Sequence, residues 1–349
     1  MSQALYEERS RNPWATTAEL TEDTLRRGSR TTPVDELNLA AMAEAYVRGS
    51  WLGGGGAERP LGALEQAPGA VPVTRVTGTT TLLKVRRAAD FAHALGELAV
   101  RRCGGADQVA ALSARAQAEG VPLWIARRYA PGPAGPVAVA VDRRLVRVDV
   151  WGPHAPAVRL RAPYGYLGDA SAPAGGLVMT VGDVTAGLAL HKKWRKSKSS
   201  VEIALPDRHW TLRRENAASS WLLRDDRRVA LLTRPVRAVS APGAVLLPLA
   251  GVHHESPDPL DAVMAHAVAV SFGLGDTTGL ARFRPRPRSR SGGETSADGW
   301  DLPWFSNLGN GRDDNEPGGG DGWGSDGGDG GDGGSGGDGG GGDGGGGGD

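Results

Sequence analysis

The chain has 349 residues, enough for one large domain or two medium-sized ones. Its net charge is zero, yet residues 1–291 hold 39 Lys and Arg against 27 Asp and Glu, and residues 292–349 hold one Arg against 13 Asp and Glu. The single cysteine, Cys103, excludes an internal disulfide, and no apolar run reaches the ~20 residues of a membrane-spanning helix. A basic body with an acidic tail indicates either a contact between the two or an anionic partner for which the tail competes.

The first fourteen residues are polar and charged, unlike a secretory signal, and a lone cysteine suits a reducing compartment. We therefore expect a cytoplasmic protein, with peripheral association at a membrane as an open option. The abundance of Ala, Gly and Arg is typical of a high-GC, bacterial genome.

Residues 1–130 are predicted to form a mixed helix and strand region. Thr32 and Pro33 resemble the cap and first residue of a helix that ends by Gly49. Residues 79–86 are rich in β-formers, two amphipathic helices follow up to Gly104 and over 106–119, and a strand is expected in 121–130. Gly53–Gly56 lacks the Lys-Ser/Thr of a phosphate-binding loop, so we interpret it as a flexible linker.

The region 137–275 follows a Pro- and Gly-rich linker and breaks into ten short extended segments separated by turn residues. Several of them alternate apolar and polar residues, which predicts antiparallel strands with one buried and one wet face. The segments are 137–141, 145–151, 157–162, 176–181, 186–194, 200–205, 209–214, 220–225, 228–235 and 244–251. No helix separates them, which argues against a parallel fold.

A helix over 259–272 closes this region. Asp258 suits the N-cap, Pro259 suits the first helical position, and Gly273 ends the helix. About 14–15 residues span ~22 Å, too short for a ~30 Å hydrocarbon core. Because its side chains are apolar on nearly all sides, we expect it to be enclosed by a barrel of 10–12 strands. The alternative is a helix packed between a β-sandwich and the N-terminal region.

The sequence DPLDAVMAHAVAVSFG, after repeated strands such as HWTLRR and SWLLRD, resembles the tubby C-terminal-like domains, which include LURP-one-related proteins and phospholipid scramblases. The resemblance covers about residues 137–275. It implies an α+β fold, with an antiparallel β-barrel of about a dozen strands around a C-terminal apolar helix. It also implies a binding or scaffold domain, since some members bind membrane phosphoinositides. The calcium-binding and palmitoylated-cysteine features of scramblases have no counterpart here.

Residues 285–349 are predicted to be a disordered, Gly- and Asp-rich tail, because such a segment has too little apolar surface to offset the entropy of ordering. Its Asp residues are irregularly spaced and no apolar residue recurs among them, so it does not match a calcium-binding repeat. The tail either only keeps the chain in solution or modulates binding.

The strongest candidate for a binding surface is a run of cations around one Trp in a predicted turn. Clustered cations with an aromatic ring suit a phosphorylated headgroup or a nucleic-acid backbone. The residues are His191, Lys192, Lys193, Trp194, Arg195, Lys196 and Lys198, followed after the helix by a second basic run that includes Arg282, Arg284 and Arg286 within 282–290. The alternative is a solvated hairpin tip without a ligand.

Enzyme signatures are absent, so we predict no catalytic residue, cofactor or metal. His253 and His254 have the right side chains for a metal site, but two adjacent His on a loop point apart and no third His stands at ligand spacing. His266 is expected to be a hydrogen-bonded core histidine. Three hypotheses remain: a tubby-like module that binds an anionic lipid or a partner protein, a nucleic-acid-binding protein using both basic runs, and a hydrolase or metalloenzyme with an unrecognised site.

Overall fold

A computed structural model describes residues 3–8, 17–64, 67–167, 173–235 and 245–283. Within these ranges the protein is α+β, with 19 strands that pair antiparallel and four α-helices. The N-terminal strands are β1 (Ala4–Glu7), β2 (Ala18–Thr21), β3 (Thr24–Arg27), β4 (Arg30–Pro33), β5 (Ser50–Leu52), β6 (Glu58–Pro60), β7 (Gly69–Thr74) and β8 (Thr80–Val85). The helices are α1 (Leu39–Val47), α2 (Ala88–Arg102), α3 (Ala106–Glu119) and α4 (Pro259–Ser271).

The remaining eleven strands form one large sheet in which every strand pairs with its neighbours along the chain. They are β9 (Arg127–Ala130), β10 (Val137–Asp142), β11 (Arg147–Trp151), β12 (Val158–Arg161), β13 (Val178–Val181), β14 (Val184–His191), β15 (Ser200–Ala204), β16 (His209–Arg214), β17 (Ser219–Arg224), β18 (Arg227–Thr233) and β19 (Gly251–His254). Nine of the ten predicted segments overlap β10–β18, and β9 lies within the predicted strand 121–130.

The tenth predicted strand, 244–251, is wrong in position. Pro248 has no N–H to donate and cannot continue a ladder, so the backbone pairs with β18 only from Gly251 onward. The preceding residues instead approach the opposite edge of the sheet, where Arg128 Nη1 on β9 donates to the Leu247 carbonyl at 2.5 Å.

The N-terminal region packs its helices against a four-stranded sheet (β1–β4) and two hairpins (β5–β6 and β7–β8) around one core. Its largest fully buried side chains are Trp51, Phe91, Leu20, Met42, Leu95 and Leu98. The Trp51 Nε1–H donates to the Pro72 carbonyl at 2.9 Å, so burial of the indole leaves no polar atom unpaired.

The predictions for β8, α2 and α3 are confirmed, but α1 begins later than predicted. Thr32 and Pro33 pair with β3, and one 3-10 turn separates them from the helix. The actual N-cap is Asn38, whose Oδ1 accepts a hydrogen bond from the Ala41 N–H at 3.1 Å. The segment predicted as a linker forms a 3-10 turn over Gly54–Gly56, and a Cβ at Gly56 would collide with the Trp124 ring.

The large sheet curls around α4. This helix packs against β10, β11 and β12 near one edge of the sheet and against β18 and β19 at the other. In a flat sheet with ~4.8 Å between strands, β10 and β18 would lie ~38 Å apart, far more than the ~10–12 Å diameter of a helix. All residues from Leu260 to Ser271 are buried, as the apolar sequence predicts.

A closed barrel is not found in the part of the chain that the structure describes. The strand order ends at β9 and β19, and these two edge strands share no backbone ladder. They meet through side chains: Arg128 contacts the residues before β19, and His254 Nε2 lies 3.4 Å from the Pro131 carbonyl after β9.

The prediction of one wet face per alternating strand is wrong at Asp149 of β11, and the neighbouring strand β10, whose predicted segment 137–141 is apolar throughout, is covered on both faces. Every residue of β10 is buried, because the residues after α3, including Val121 and Ile125, cover its outer face. On β11 the carboxylate of Asp149 is fully buried. The N-terminal region therefore lies directly on this part of the sheet.

Candidate functional site

A basic loop, defined as residues 192–198, joins β14 to β15. Ser199 fixes its base: Oγ accepts from the Lys193 N–H at 3.0 Å, and one 3-10 turn over Lys196–Lys198 completes the loop. All seven residues of the loop are exposed, whereas Ser199 is buried. The strands thus hold both ends of the loop and leave its side chains in solvent.

The loop carries five cations that have no partner among the described residues. No ion pair or hydrogen bond joins these side chains to another residue that the structure describes; they are Lys192, Lys193, Arg195, Lys196 and Lys198. Among them Trp194 is 97% exposed, the highest value of any large apolar side chain in the described ranges. A Trp left in water forgoes a large burial free energy, so its exposure beside unpaired cations marks a contact surface.

The loop also concentrates the lysines. The chain has five Lys, and four of them are in this loop, the fifth being Lys84 on β8. Arginines elsewhere mostly form ion pairs and hydrogen bonds that hold the fold, as Arg159 does with Asp149. A Lys ammonium is a strongly hydrated point charge on a mobile stem, which suits a surface of phosphates better than one fixed carboxylate.

The antiparallel order places several loops at the same end of the large sheet. Successive turns of a meander alternate between ends, so the β10–β11, β12–β13, β14–β15 and β16–β17 loops share what we call the basic end. The β12–β13 loop carries Tyr164, 86% exposed, and Leu167, 54% exposed. The basic end therefore combines unpaired cations with three exposed apolar side chains, and nothing in the sequence pattern marks Tyr164 or Leu167 as candidates.

His191 differs from the other predicted members of the cluster. It is the last residue of β14 and is only partly exposed, with Nε2 3.4 Å from Glu202 Oε2 on β15. We therefore place His191 at the base of the loop, outside its contact surface.

The second basic run is only partly described. Arg282 is partly buried, and its carbonyl accepts from Arg143 Nη1 at 3.0 Å in the β10–β11 loop, at the basic end. Arg284 and Arg286 lie outside the described residues, as does the whole predicted tail.

His253 and His254 point to opposite faces of β19, as expected. His253 is exposed, whereas His254 is turned toward α4, where its ring centroid lies 5.7 Å from that of His266. Burial and the neighbouring His254 lower the pKa of His266 to about 4, partly offset by the Pro131 carbonyl, and burial lowers the pKa of His254 as well.

His266 is a buried core histidine, as predicted; the Pro131 carbonyl acts on its ring as a hydrogen-bond acceptor, whereas Nε2 is buried without a hydrogen-bond partner in the described structure. In the part of the chain that the structure describes, no carboxylate or thiolate joins the imidazoles of His254 and His266 to complete a metal site. No group of three His, Cys, Asp or Glu residues occurs in the described ranges in an arrangement that could hold a metal.

A second cluster of cations surrounds the buried carboxylate of Asp149, which contacts Arg147, Arg159 and Arg161 at 2.9, 3.0 and 2.5 Å. Arg147 and Arg159 also donate to the Gly120 carbonyl at the end of α3. Cations at a helix C-terminus satisfy its free carbonyls and oppose its dipole. This cluster binds the N-terminal region to the sheet, so its cations are not available to a ligand in the way that those of the basic loop are.

No helix in the described ranges combines the length and apolarity that crossing a membrane requires. Comparisons with protein families, with curated proteins and with solved structures give no match to this chain.

Proposed function

We propose that the chain is a non-catalytic binding module that holds an anionic membrane surface with the basic end of its large sheet. The observation that carries the proposal is the basic loop, in which Trp194 is almost fully exposed among five cations that have no partner in the described structure. A cation near an anionic lipid surface contributes about 1 kcal/mol, and a Trp ring favours the membrane interface.

A membrane accounts for the basic end better than a nucleic acid does. Cations and aromatic rings suit either partner, since rings stack on bases. Leu167 is different, because an aliphatic side chain gains free energy in the interfacial region of a bilayer and has neither a charge for phosphate nor a ring for a base. Its exposure beside Tyr164 at the same end as the loop supports the membrane. Nucleic acid remains the second candidate, carried by the same cations.

The proposal includes the resemblance to tubby C-terminal-like domains and a cytoplasmic site of action at the membrane. An antiparallel meander that curls around an apolar C-terminal helix is part of what that resemblance implies. Such a module would act as a scaffold or adaptor and needs no catalytic group.

A charge-matched pair of variants tests the membrane contact. Lys192→Ser, Lys193→Ser and Lys196→Ser together remove three charges from the basic loop. Their control removes three exposed charges elsewhere: Arg30→Ser, Lys84→Ser and Arg227→Ser. Sedimentation with vesicles of 30% phosphatidylserine in phosphatidylcholine should show about 100-fold weaker binding for the loop variant, at about 1 kcal/mol per Lys, and less than a threefold change for the control.

Leu167→Ser separates the two partners. It should weaken vesicle binding severalfold and leave binding to a single-stranded oligonucleotide unchanged. Equal vesicle binding by the loop variant and its control would refute the proposal. Tight oligonucleotide binding that depends on the loop, without vesicle binding, would replace the membrane with a nucleic acid.

A further inference from the structure

The segment that follows α4, residues 272–283, leads the chain across the basic end. We call it the exit segment. The Gly275 N–H donates to Ser220 Oγ at 2.7 Å, and Asp276 forms an ion pair with Arg214 at 3.0 Å, both at the β16–β17 end. The Phe283 ring lies edge-on to Tyr166, with the centroids 6.4 Å apart, in the β12–β13 loop.

The exit segment also lies against the base of the basic loop. Gly279 has φ = 92°, and a Cβ there would lie 2.7 Å from the His191 carbonyl oxygen and 3.1 Å from Ser199 Cβ. Only a glycine fits this approach, because it allows the positive φ and leaves room for the loop base. The fold therefore fixes the chain beside the basic loop shortly before the tail begins.

From this placement we infer that the acidic tail, residues 292–349, occupies the basic loop of its own chain and competes there with external anions. The inference rests on the proposed function only in naming the anion that the tail competes with. The contact between tail and loop stands on the geometry and the charges alone.

The charges and the reach agree with this contact. The tail has 13 acidic residues and one Arg, whereas the basic loop has five cations and no acidic residue. The first acidic residue of the tail, Glu294, follows Phe283 by 11 residues, which span up to ~36 Å when extended. Because the tail is tethered, its carboxylates face the loop at an effective concentration of about millimolar, without any diffusion from bulk.

Such a contact is electrostatic, so it weakens with salt. The Debye length falls from about 10 Å at 0.1 M salt to about 3 Å at 1 M. A vesicle or another polyanion has to displace the tail. We therefore expect a variant with the same tail length and no tail charge to bind vesicles about three- to tenfold more tightly at low salt, because a local competitor at about millimolar concentration no longer has to be displaced.

Carbodiimide crosslinking on the full chain tests the contact directly. This reagent joins Lys amines to carboxylates, and four of the five lysines are in the basic loop, so Lys84 serves as an internal control. Mass spectrometry should find links from Lys192, Lys193, Lys196 or Lys198 to tail carboxylates at low salt. The links should disappear at 0.5 M NaCl and in a variant with every tail Asp→Asn and Glu→Gln.

Mixing chains of normal and ¹⁵N isotopic content shows whether the links are within one chain. Any of three results would overturn the inference. They are an absence of loop-to-tail links at low salt, links that mostly join two chains, and links to Lys84 that are as frequent as those to the loop. If no variant binds vesicles or oligonucleotides, the proposed function fails, while the crosslinks still decide the tail contact. If vesicles bind and the charge-free tail leaves their affinity unchanged, competition is refuted.

Discussion

The buried imidazole of His266 makes the stability of the protein depend on pH. Its pKa is about 4 in the folded chain against an ordinary value of 6.5. This difference of about 2.5 pKa units corresponds to about 3 kcal/mol, at 1.36 kcal/mol per unit. Above pH 6.5 the histidine is neutral in both states and this contribution to stability is complete.

As the pH falls below 6.5, the unfolded chain takes up a proton that the folded chain excludes, so stability is lost. The loss continues until about pH 4, where the folded chain also takes up the proton, and it levels off below that pH. His254 acts in the same direction, because its pKa is also lowered and it faces His266 across 5.7 Å.

The perturbation is His266→Leu, which conserves side-chain volume and removes the unpartnered buried Nε2. Urea unfolding should be followed by circular dichroism at pH 7, 6, 5 and 4.5. The free energy of unfolding of the variant should be within about 1.5 kcal/mol of the native chain at pH 7. Between pH 7 and 4.5 the native chain should lose about 2–3 kcal/mol more than the variant.

Carboxylates also titrate in this range, but they are the same in both chains and cancel in the difference. His253→Gln is the matched control, because the side chain of His253 is exposed on the face of β19 opposite to that of His254. It should follow the pH profile of the native chain. Parallel pH profiles for the native chain and His266→Leu would contradict the prediction, because they would show that His266 is hydrated or hydrogen-bonded in the folded state.

Two further predictions concern the polar contacts that fix α4 and the N-terminal region. Asp261→Asn should lower the free energy of unfolding, measured in urea, by about 2–3 kcal/mol. The reason is that its buried carboxylate accepts from Trp210 Nε1 at 2.9 Å, Arg224 Nη1 at 2.8 Å and Ser256 Oγ at 2.6 Å. A loss no larger than the ~1 kcal/mol of an N-cap would contradict this. Arg159→Ala should lower the free energy of unfolding by about 3 kcal/mol, as expected when one partner of a buried ion pair is removed. The control Arg115→Ala removes an exposed partner and should lower it by less than about 1 kcal/mol. Equal losses for the two variants would show that the other arginines around Asp149 compensate fully for Arg159.

Local pattern was sufficient to predict most of the elements of the large sheet. Each of the strands β10–β18 pairs with the strands next to it along the chain. Short β-rich segments separated by Gly, Pro and Asp are therefore enough to predict them from the sequence. The N-cap at Asp258 is confirmed too, since its Oδ1 accepts from the Leu260 N–H at 2.9 Å. The short strands β1–β6 were not predicted, because three or four residues carry too little periodicity to distinguish a strand from a loop.

The basic loop could be found from its charges, but its setting could not. Composition and spacing identify Lys192–Lys198 as a cationic turn, and they leave open whether those cations are paired. The structure shows them unpaired in the described ranges and places Tyr164, Leu167 and the exit segment at the same end. These residues are 25 or more positions away from the loop in sequence, so only the antiparallel order of the strands brings them together.

The antiparallel segments, the enclosed helix α4 and the opposite charges of body and tail could be predicted from the sequence, because each depends on residues close together in the chain. Three other features needed the folded structure: β9 and β19 share no backbone ladder, Asp149 is buried under the end of α3, and Nε2 of His266 has no partner in the described residues. Each of these depends on which distant surface covers a side chain. The polar face of an alternating strand stays exposed to solvent only if nothing packs on it, and here the N-terminal region packs on it.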